Sequence, residues 1–284
     1  MKKIKYFLEF IILNILFIIF KFLGHKKSIF ISEKIFCIIG PIFRDKKIII
    51  KNIKQALPNI SNKDINRIIH NMWGYYGKIF AEYPFIKNFR KNDTNIKIEG
   101  KEILEEIKNN NEAVIFISAH FDNFELMAMS LEKSGINVTA IYRPLNNIYM
   151  NKIMENIRIK YICKNQVKKG VKGIRSLVSQ FKNGSSIALM IDQRVSEGIK
   201  SKFFNKEAYT TTIPAQFVKK FNCRVVAIYI ERLNNEKFKV KIFKPIKFNK
   251  NMSTASITEH LNYCIEKMII KKPEQWIWSH NRWK

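Results

Sequence analysis

From Tyr6 to Phe20 the chain is apolar but for Glu9 and Asn14, within the stretch KKIKYFLEFIILNILFIIFKFLG. That density predicts a helix in contact with a membrane. A full crossing needs about 20 apolar residues, so the segment either just spans the bilayer or lies in it. Lys2, Lys3 and Lys5 precede it and Lys21, Lys26 and Lys27 follow it. With lysines on both flanks, the positive-inside rule gives no orientation. KFLGHKKS offers no small-residue cleavage pattern, so residues 1–24 are expected to stay as an anchor.

Residues 28–85 carry helical patterning in SIFISEKIFCIIGPIF, KKIIIKNIKQALP and DINRIIHNMWGYYGKIFAEYPF, the last opened by Ser61 with Asp64 three residues on and stopped near Pro84. From about residue 95 the pattern alternates. NIKIEG, AVIFIS, NVTAIYR, SIALMID and RVVAIYIE read as strands, and KEILEEIKNN, FELMAMSLEKSG, NIYMNKIMENIRI, GIRSLVSQFKNG and TIPAQFVKKFN read as helices. KFKVKIF is expected to add an antiparallel edge strand, and ITEHLNYCIEKMIIK a last helix. Such alternation predicts an α/β fold, a mixed sheet flanked by helices. The organisation expected is an anchor at 1–24 and one further unit at 25–284, its part 25–90 helical and membrane-facing and its part 91–284 α/β.

At 284 residues and 46% hydrophobic content there is enough apolar material for a large core. The formal charge of +28, from 51 Lys and Arg against 23 Asp and Glu, favours anionic partners: nucleic acid, acidic lipid or an acidic carrier protein. A chain this rich in Lys, Ile and Asn also owes part of that excess to composition. Cys37, Cys163, Cys223 and Cys264 form no CxxC pair, which suggests neither a zinc site nor a disulfide framework and fits a reducing compartment.

The candidate chemistry lies in SAHFDNFEL, residues 118–126. AVIFIS is a continuous apolar run, as for a strand buried on both faces. His120 falls just past its C-terminal end, the edge at which open α/β sheets bind ligands. With Asp122 as N-cap, Glu125 becomes the third helical residue and its carboxylate can reach back to the imidazole, leaving the other ring nitrogen as a base. The same spacing also describes a capping box without catalytic purpose. No GxSxG elbow, Walker A loop, GxGxxG or HExxH is present, so serine hydrolase, P-loop and zincin chemistry lack their parts.

Several blocks in order carry a resemblance: NMWGYYGKIFAEYP at 71–84, SAHFDNFEL, IYRPLNN at 141–147, GIRSLVSQFKNGSSIALMIDQ at 173–193, KFFNKEAYTTTIPAQF at 202–217 and the terminal PEQWIWSHNRWK. With the N-terminal anchor, they resemble the late acyltransferases of lipid A biosynthesis, lauroyl- and myristoyl-transferase-like, within the wider glycerolipid acyltransferases that bear a His-x4-Asp/Glu motif. The resemblance covers nearly the whole chain. It departs at Asp122 and Phe124, where the family more often has Gly and Trp, and at Asn205, where it usually has Gly.

The resemblance implies a glycerolipid-acyltransferase-like fold and transfer of a fatty acyl group from acyl carrier protein to a hydroxyl of a membrane-bound lipid A precursor. It also implies a place at the bacterial inner membrane with the catalytic part on the cytoplasmic side, and neither metal nor organic cofactor. His120 and Glu125 are then the catalytic pair, the base and its orienting carboxylate. Arg143 and Arg175 become candidates for oxyanion or phosphate contact, Asp192 and Gln193 their supports at a strand end, and Asn123 a further substrate-binding candidate. Trp276, Trp278 and Trp283 are expected as packing or interface anchors. Within the same chemistry, another membrane glycolipid or a lysophospholipid is an alternative acceptor. A basic membrane-binding protein with a lapsed active site is the alternative of a different class. Without an RNP-like or helix-turn-helix signature, nucleic acid is not an expected partner.

Overall fold

A computed structural model describes residues 2–92 and 94–284; Met1, at the head of the expected anchor, and Asp93 lie outside it. Five helices come first: α1 (Lys2–Leu23), α2 (His25–Phe43), α3 (Lys46–Ala56), α4 (Asn62–Glu82) and, after a 3-10 turn at Tyr83–Phe85, α5 (Ile86–Lys91). α4 starts as its sequence dictates, with Ser61 accepting from the Asp64 backbone N–H at 3.1 Å.

The alternating part follows as β1 (Ile96–Glu99), α6 (Lys101–Asn109), β2 (Ile115–Ser118), α7 (Glu125–Lys133), β3 (Val138–Tyr142), α8 (Ile148–Ile157), β4 (Asn165–Lys168), α9 (Val171–Lys182) and β5 (Ser186–Met190). A hairpin of β6 (Ile199–Phe203) and β7 (Lys206–Thr210) leads into α10 (Ile213–Phe221), β8 (Val225–Arg232), β9 (Phe238–Ile242) and α11 (Thr254–Lys271). The main sheet has seven strands in the order β1-β9-β8-β2-β5-β3-β4. Strands β8, β2, β5, β3 and β4 run parallel. β9 runs antiparallel to β8 and parallel to β1. The mixed sheet flanked by helices is therefore the fold, preceded by an apolar helix, α1, long enough to meet a membrane.

Three details differ from the sequence pattern. KFKVKIF is antiparallel as expected, but β1 pairs with its outer side and takes the edge. β4 and the β6–β7 hairpin escape the pattern, since NQVK, IKSKF and KEAYT are short and polar beside AVIFIS. The two central strands are the most legible because both faces are covered: all of β2 and all eight residues of β8 are buried.

α2 and α4 pack backbone to backbone. A Cβ on Gly77 would lie 2.4 Å from the Ser32 carbonyl oxygen, and one on Gly40 would lie 2.4 Å from the Trp73 ring. A Cβ on Gly74 would meet only the side chains of Cys37 and Glu33, nearest at 3.3 Å. Gly77→Ala is therefore expected to destabilise by about 1 to 3 kcal/mol, the usual cost of overpacking, while Gly74→Ala stays near wild type. Thermal melts of both variants in the same detergent check this; equal melting temperatures would refute the close seam.

Candidate active site

The site grows out of one register. Ser118 of β2 lies beside Met190 of β5, and the Ile191 N–H extends the ladder by donating to the Ser118 carbonyl at 3.0 Å. His120 and Asp192 each follow two residues later on neighbouring parallel strands, so their side chains meet at the sheet's C-terminal edge. The Asp192 Oδ1 lies 2.8 Å from His120 Nδ1, while Oδ2 accepts from the His120 backbone N–H at 3.1 Å and from the Trp276 indole N–H at 2.8 Å. Burial works against the imidazolium, but the Asp192 carboxylate overrides it and raises the His120 pKa above its ordinary value. Burial also opposes the Asp192 carboxylate, which His120 and Trp276 nonetheless hold below its ordinary pKa. With Nδ1 committed, Nε2 is the ring nitrogen left for a substrate. Phe124 packs edge-on against the ring at 4.8 Å.

Glu125 does not orient the histidine. α7 begins at Glu125 itself, with Phe124 at the cap position and no side-chain cap. Asp122, expected as the N-cap, instead takes a left-handed backbone, φ 33°, and turns its carboxylate inward. From the first helical residue, Glu125 Oε1 accepts from Arg158 Nη2 at 2.6 Å and Nε at 2.8 Å, and from the Tyr83 hydroxyl at 3.1 Å. Arg158 opens a π-helical turn, Arg158–Ile162, that follows α8. Burial, reinforced by Glu125, pushes the Tyr83 phenol far up, so it stays a hydrogen-bond donor.

His120, Glu125 and Arg158 line a cavity of about 280 Å³. Its floor is a row set by strand pairing: Phe116 beside Ala188, Ala188 beside Ala140, Ala140 beside Gln166. The two methyl side chains in the middle of that row leave space over the sheet, walled by Met127, Leu131 and Ile162. Arg143, Gln193, Lys169, Arg194 and His280 are also among its lining. Burial lowers the His280 pKa to about 4, and its Nε2 accepts from the Arg194 backbone N–H at 3.0 Å, so at neutral pH it is uncharged. A second, smaller cavity of about 30 Å³ reaches His120 beside α4, lined by Met72, Tyr75, Tyr76 and Trp276 among others.

Of the sequence candidates, His120, Glu125, Asp192, Arg143 and Gln193 thus gather at one place. Two others do not. Arg175 is exposed on α9 and absent from the cavity wall. Asn123 is buried behind the site, donating to Glu82 at 2.8 Å, because the loop after His120 turns inward to a buried arginine. That arginine, Arg232 at the end of β8, makes two bonds to Glu82 at 2.6 and 2.9 Å and grips Asp122 at 2.7 Å. The cluster fixes the backbone from which His120 projects.

Sequence reasoning missed Arg158, Arg232 and the indole of Trp276 as members of this assembly. A signal existed. In a chain with 51 basic residues, only ten are arginines, and a planar fork is what a bidentate carboxylate contact requires.

Across residues 1–284 the chain matches the family model described as bacterial lipid A biosynthesis acyltransferase. It is similar to the lipid A biosynthesis palmitoleoyltransferase of Escherichia coli (strain K12), 22% identical over 269 residues that cover 90% of this chain and 84% of the other. It is also similar to the lipid A biosynthesis myristoyltransferase of the same organism, 22% identical over 234 residues that cover 80% of this chain and 71% of the other.

Proposed function

The chain belongs to the bacterial lipid A biosynthesis acyltransferase family, and we propose that it moves a fatty acyl group from acyl carrier protein to a hydroxyl of a membrane-bound lipid A precursor, at the cytoplasmic face of the inner membrane. The observation that carries this reading is the His120–Asp192 pair at the wall of an apolar cavity. An aliphatic hydroxyl is a poor nucleophile near neutral pH. His120 Nε2 takes its proton as the oxygen attacks the thioester carbonyl, and Asp192 steadies the imidazolium. The tetrahedral oxyanion collapses, the C–S bond breaks, and the imidazolium returns the proton to the departing sulfur. Arg158 is held by Glu125 through Nε and Nη2, which leaves Nη1 as a donor toward the oxyanion. Glu125 serves here as the group that positions Arg158. The acyl chain lies along Ala140 and Ala188, and Arg143 meets phosphate at the opening.

The donor assignment follows from charge. A carrier protein is acidic and contacts many of the lysines behind the +28 balance, whereas coenzyme A is a smaller anion. Such contacts are screened over about 8 Å at physiological ionic strength. With acceptor in constant micelles, the second-order rate with acyl carrier protein is expected to fall steeply as salt rises, and the rate with acyl coenzyme A to fall less. Equal slopes, or a preference for coenzyme A, would sink the carrier assignment. Mass spectrometry of the product tests the acceptor, since an acylated lysophospholipid would displace the lipid A precursor.

A further inference from the structure

Helices on the outside of a water-soluble body turn apolar residues inward and polar residues outward. α2 departs from this: among its described side chains only Ile29 of the apolar ones is fully buried, and beyond its first turn its outward side is apolar but for Lys34, which lies over the Phe30 ring. Its inward side carries Ser28, Ser32, Glu33 and Gly40: the Ser32 hydroxyl donates to the Gly77 carbonyl at 2.7 Å, and Glu33 pairs with Lys78 at 3.1 Å. Its outward side carries Phe30, Ile31, Ile35, Ile38 and Ile42, exposed by 56, 37, 43, 76 and 82%. These positions recur at helical spacing, so they form one stripe. Small and polar residues between helices, with branched apolar residues outside, is the arrangement taken by helices whose surroundings are hydrocarbon.

α1 continues the same surface. Ile4, Leu8, Ile11, Ile15, Ile18 and Phe22 recur every three or four residues and are all exposed. Its other side, with Phe10, Leu13, Phe17 and Phe20, packs on Phe80, Phe85 and Met150. Both helices are therefore covered along one side by the body of the protein. For α2 to cross a bilayer, the Glu33–Lys78 pair and α4 would have to enter hydrocarbon with it, and for α1 the Asn147–Glu9 contact at the start of α8 would have to follow, each at the cost of burying polar or charged groups.

We propose that the outward stripes of α1 and α2 form a single monotopic docking surface that lies in the plane of an anionic bilayer leaflet. Charge at the ends of the helices argues for a bilayer over a second copy of the chain. Lys2, Lys3 and Lys5 begin α1, Lys26 and Lys27 stand at the junction, and Lys46 and Lys47 follow α2, all exposed. Anionic headgroups complement such a fringe, and two like-charged copies would repel. The close seam of α2 with α4 sets the docked plane relative to Tyr75 and Tyr76 beside His120, and to Tyr83, which follows α4 and bonds Glu125. This last link rests on the acyl-transfer reading; docking itself does not.

The test uses the full chain with α1 intact. Ile35→Glu/Ile38→Glu is expected to lower partition onto phosphatidylglycerol-containing vesicles at least tenfold, with an unchanged melting temperature in detergent and undiminished transfer to a detergent-dispersed acceptor. Wild-type binding should be weaker on pure phosphatidylcholine vesicles. Unchanged partition of the double variant, or equal binding to both vesicle types, would overturn the proposal, as would a wild-type dimer that the variant turns into a monomer. Should the variant fail to fold, single fluorescent labels at Ile31→Cys or Ile42→Cys, with Cys37 and Cys264 replaced by Ser, report depth by quenching from spin-labelled lipids. Equal shallow depths support an in-plane helix, and a gradient between the two positions refutes it. A protein that docks but transfers no acyl group would fault the acyl-transfer reading and leave the docking surface standing.

Discussion

Replacing His120 with alanine should lower the rate of acyl transfer by about 10² to 10⁴, the usual loss on removing a positioned general base, while vesicle binding and melting temperature stay as in the wild type. Only Nε2 of the ring is uncommitted, and the other histidine lining the cavity, His280, accepts a backbone N–H through its own Nε2. Retention of more than about a tenth of the rate would remove His120 from its role. Asp192→Asn gives the companion result, because an amide cannot stabilise the imidazolium. The sign of its pH effect is fixed. The base works when neutral, so the rate falls as pH drops through the raised His120 pKa. Without the Asp192 carboxylate, burial, the largest influence, and Arg158 lower that pKa against the field of Glu125 alone, so the acid limb of the profile moves to lower pH as the rate declines. A merely structural Asp192 would reduce the rate and leave the limb where it was.

The largest loss of stability is expected from Arg232→Met. The residue is 3% exposed and stands between Glu82, fully buried, and Asp122. Removing one partner of a buried ion pair costs about 3 to 5 kcal/mol. Burial already pushes the Asp122 pKa up even against the guanidinium, whereas Glu82 is held below its ordinary value despite its burial, first by Arg232. In the variant both folded-state pKa values rise above the unfolded ones, so the carboxylates fold protonated. The deficit is then greatest at neutral pH, where the unfolded chain ionises them, and shrinks as pH falls toward about 4. Denaturant titrations at several pH values measure it. A deficit that stayed constant with pH would mean that lost packing against Phe238, which the guanidinium covers at 4.3 Å, outweighs the stranded charges. Because Asp122 is two residues from His120, the surviving folded enzyme should also be slower.

Where a residue's surroundings are set by its own segment, the sequence was readable. AVIFIS is apolar because neighbours cover both faces of β2, and Ser61 with Asp64 opens α4 through a bond spanning three residues. The placement of His120 at a strand end follows from the same local pattern. Its carboxylate partner does not, because Asp192 comes from β5, and the pairing depends on the register between two distant strands. By spacing Glu125 is the nearer partner, yet the left-handed Asp122 precedes a later start of α7 and the glutamate turns toward Arg158. The departures of the resemblance from glycine at positions 122 and 205 fall on this backbone feature. Asp122 and Asn205 both have positive φ, at 33° and 57°, a region that Asp and Asn enter more readily than most side chains. Arg143 and Arg175 are candidates through the resemblance alone. Among the described residues they are arginines without a hydrogen-bond or ion-pair partner, and only the first borders the cavity.

The reach of Asp192 has a consequence for how the chain acquires its activity. Its bond to His120 closes a sequence separation of 72 residues, and its bond to Trp276 closes one of 84. Contacts between distant segments form after helices and local turns, since the entropy of the intervening loop must be overcome first. A refolding molecule is therefore expected to regain its helical signal before its histidine meets a carboxylate. Catalytic competence is expected to return with long-range contacts rather than with helix, and so to report on completion of the native state more strictly than secondary structure does.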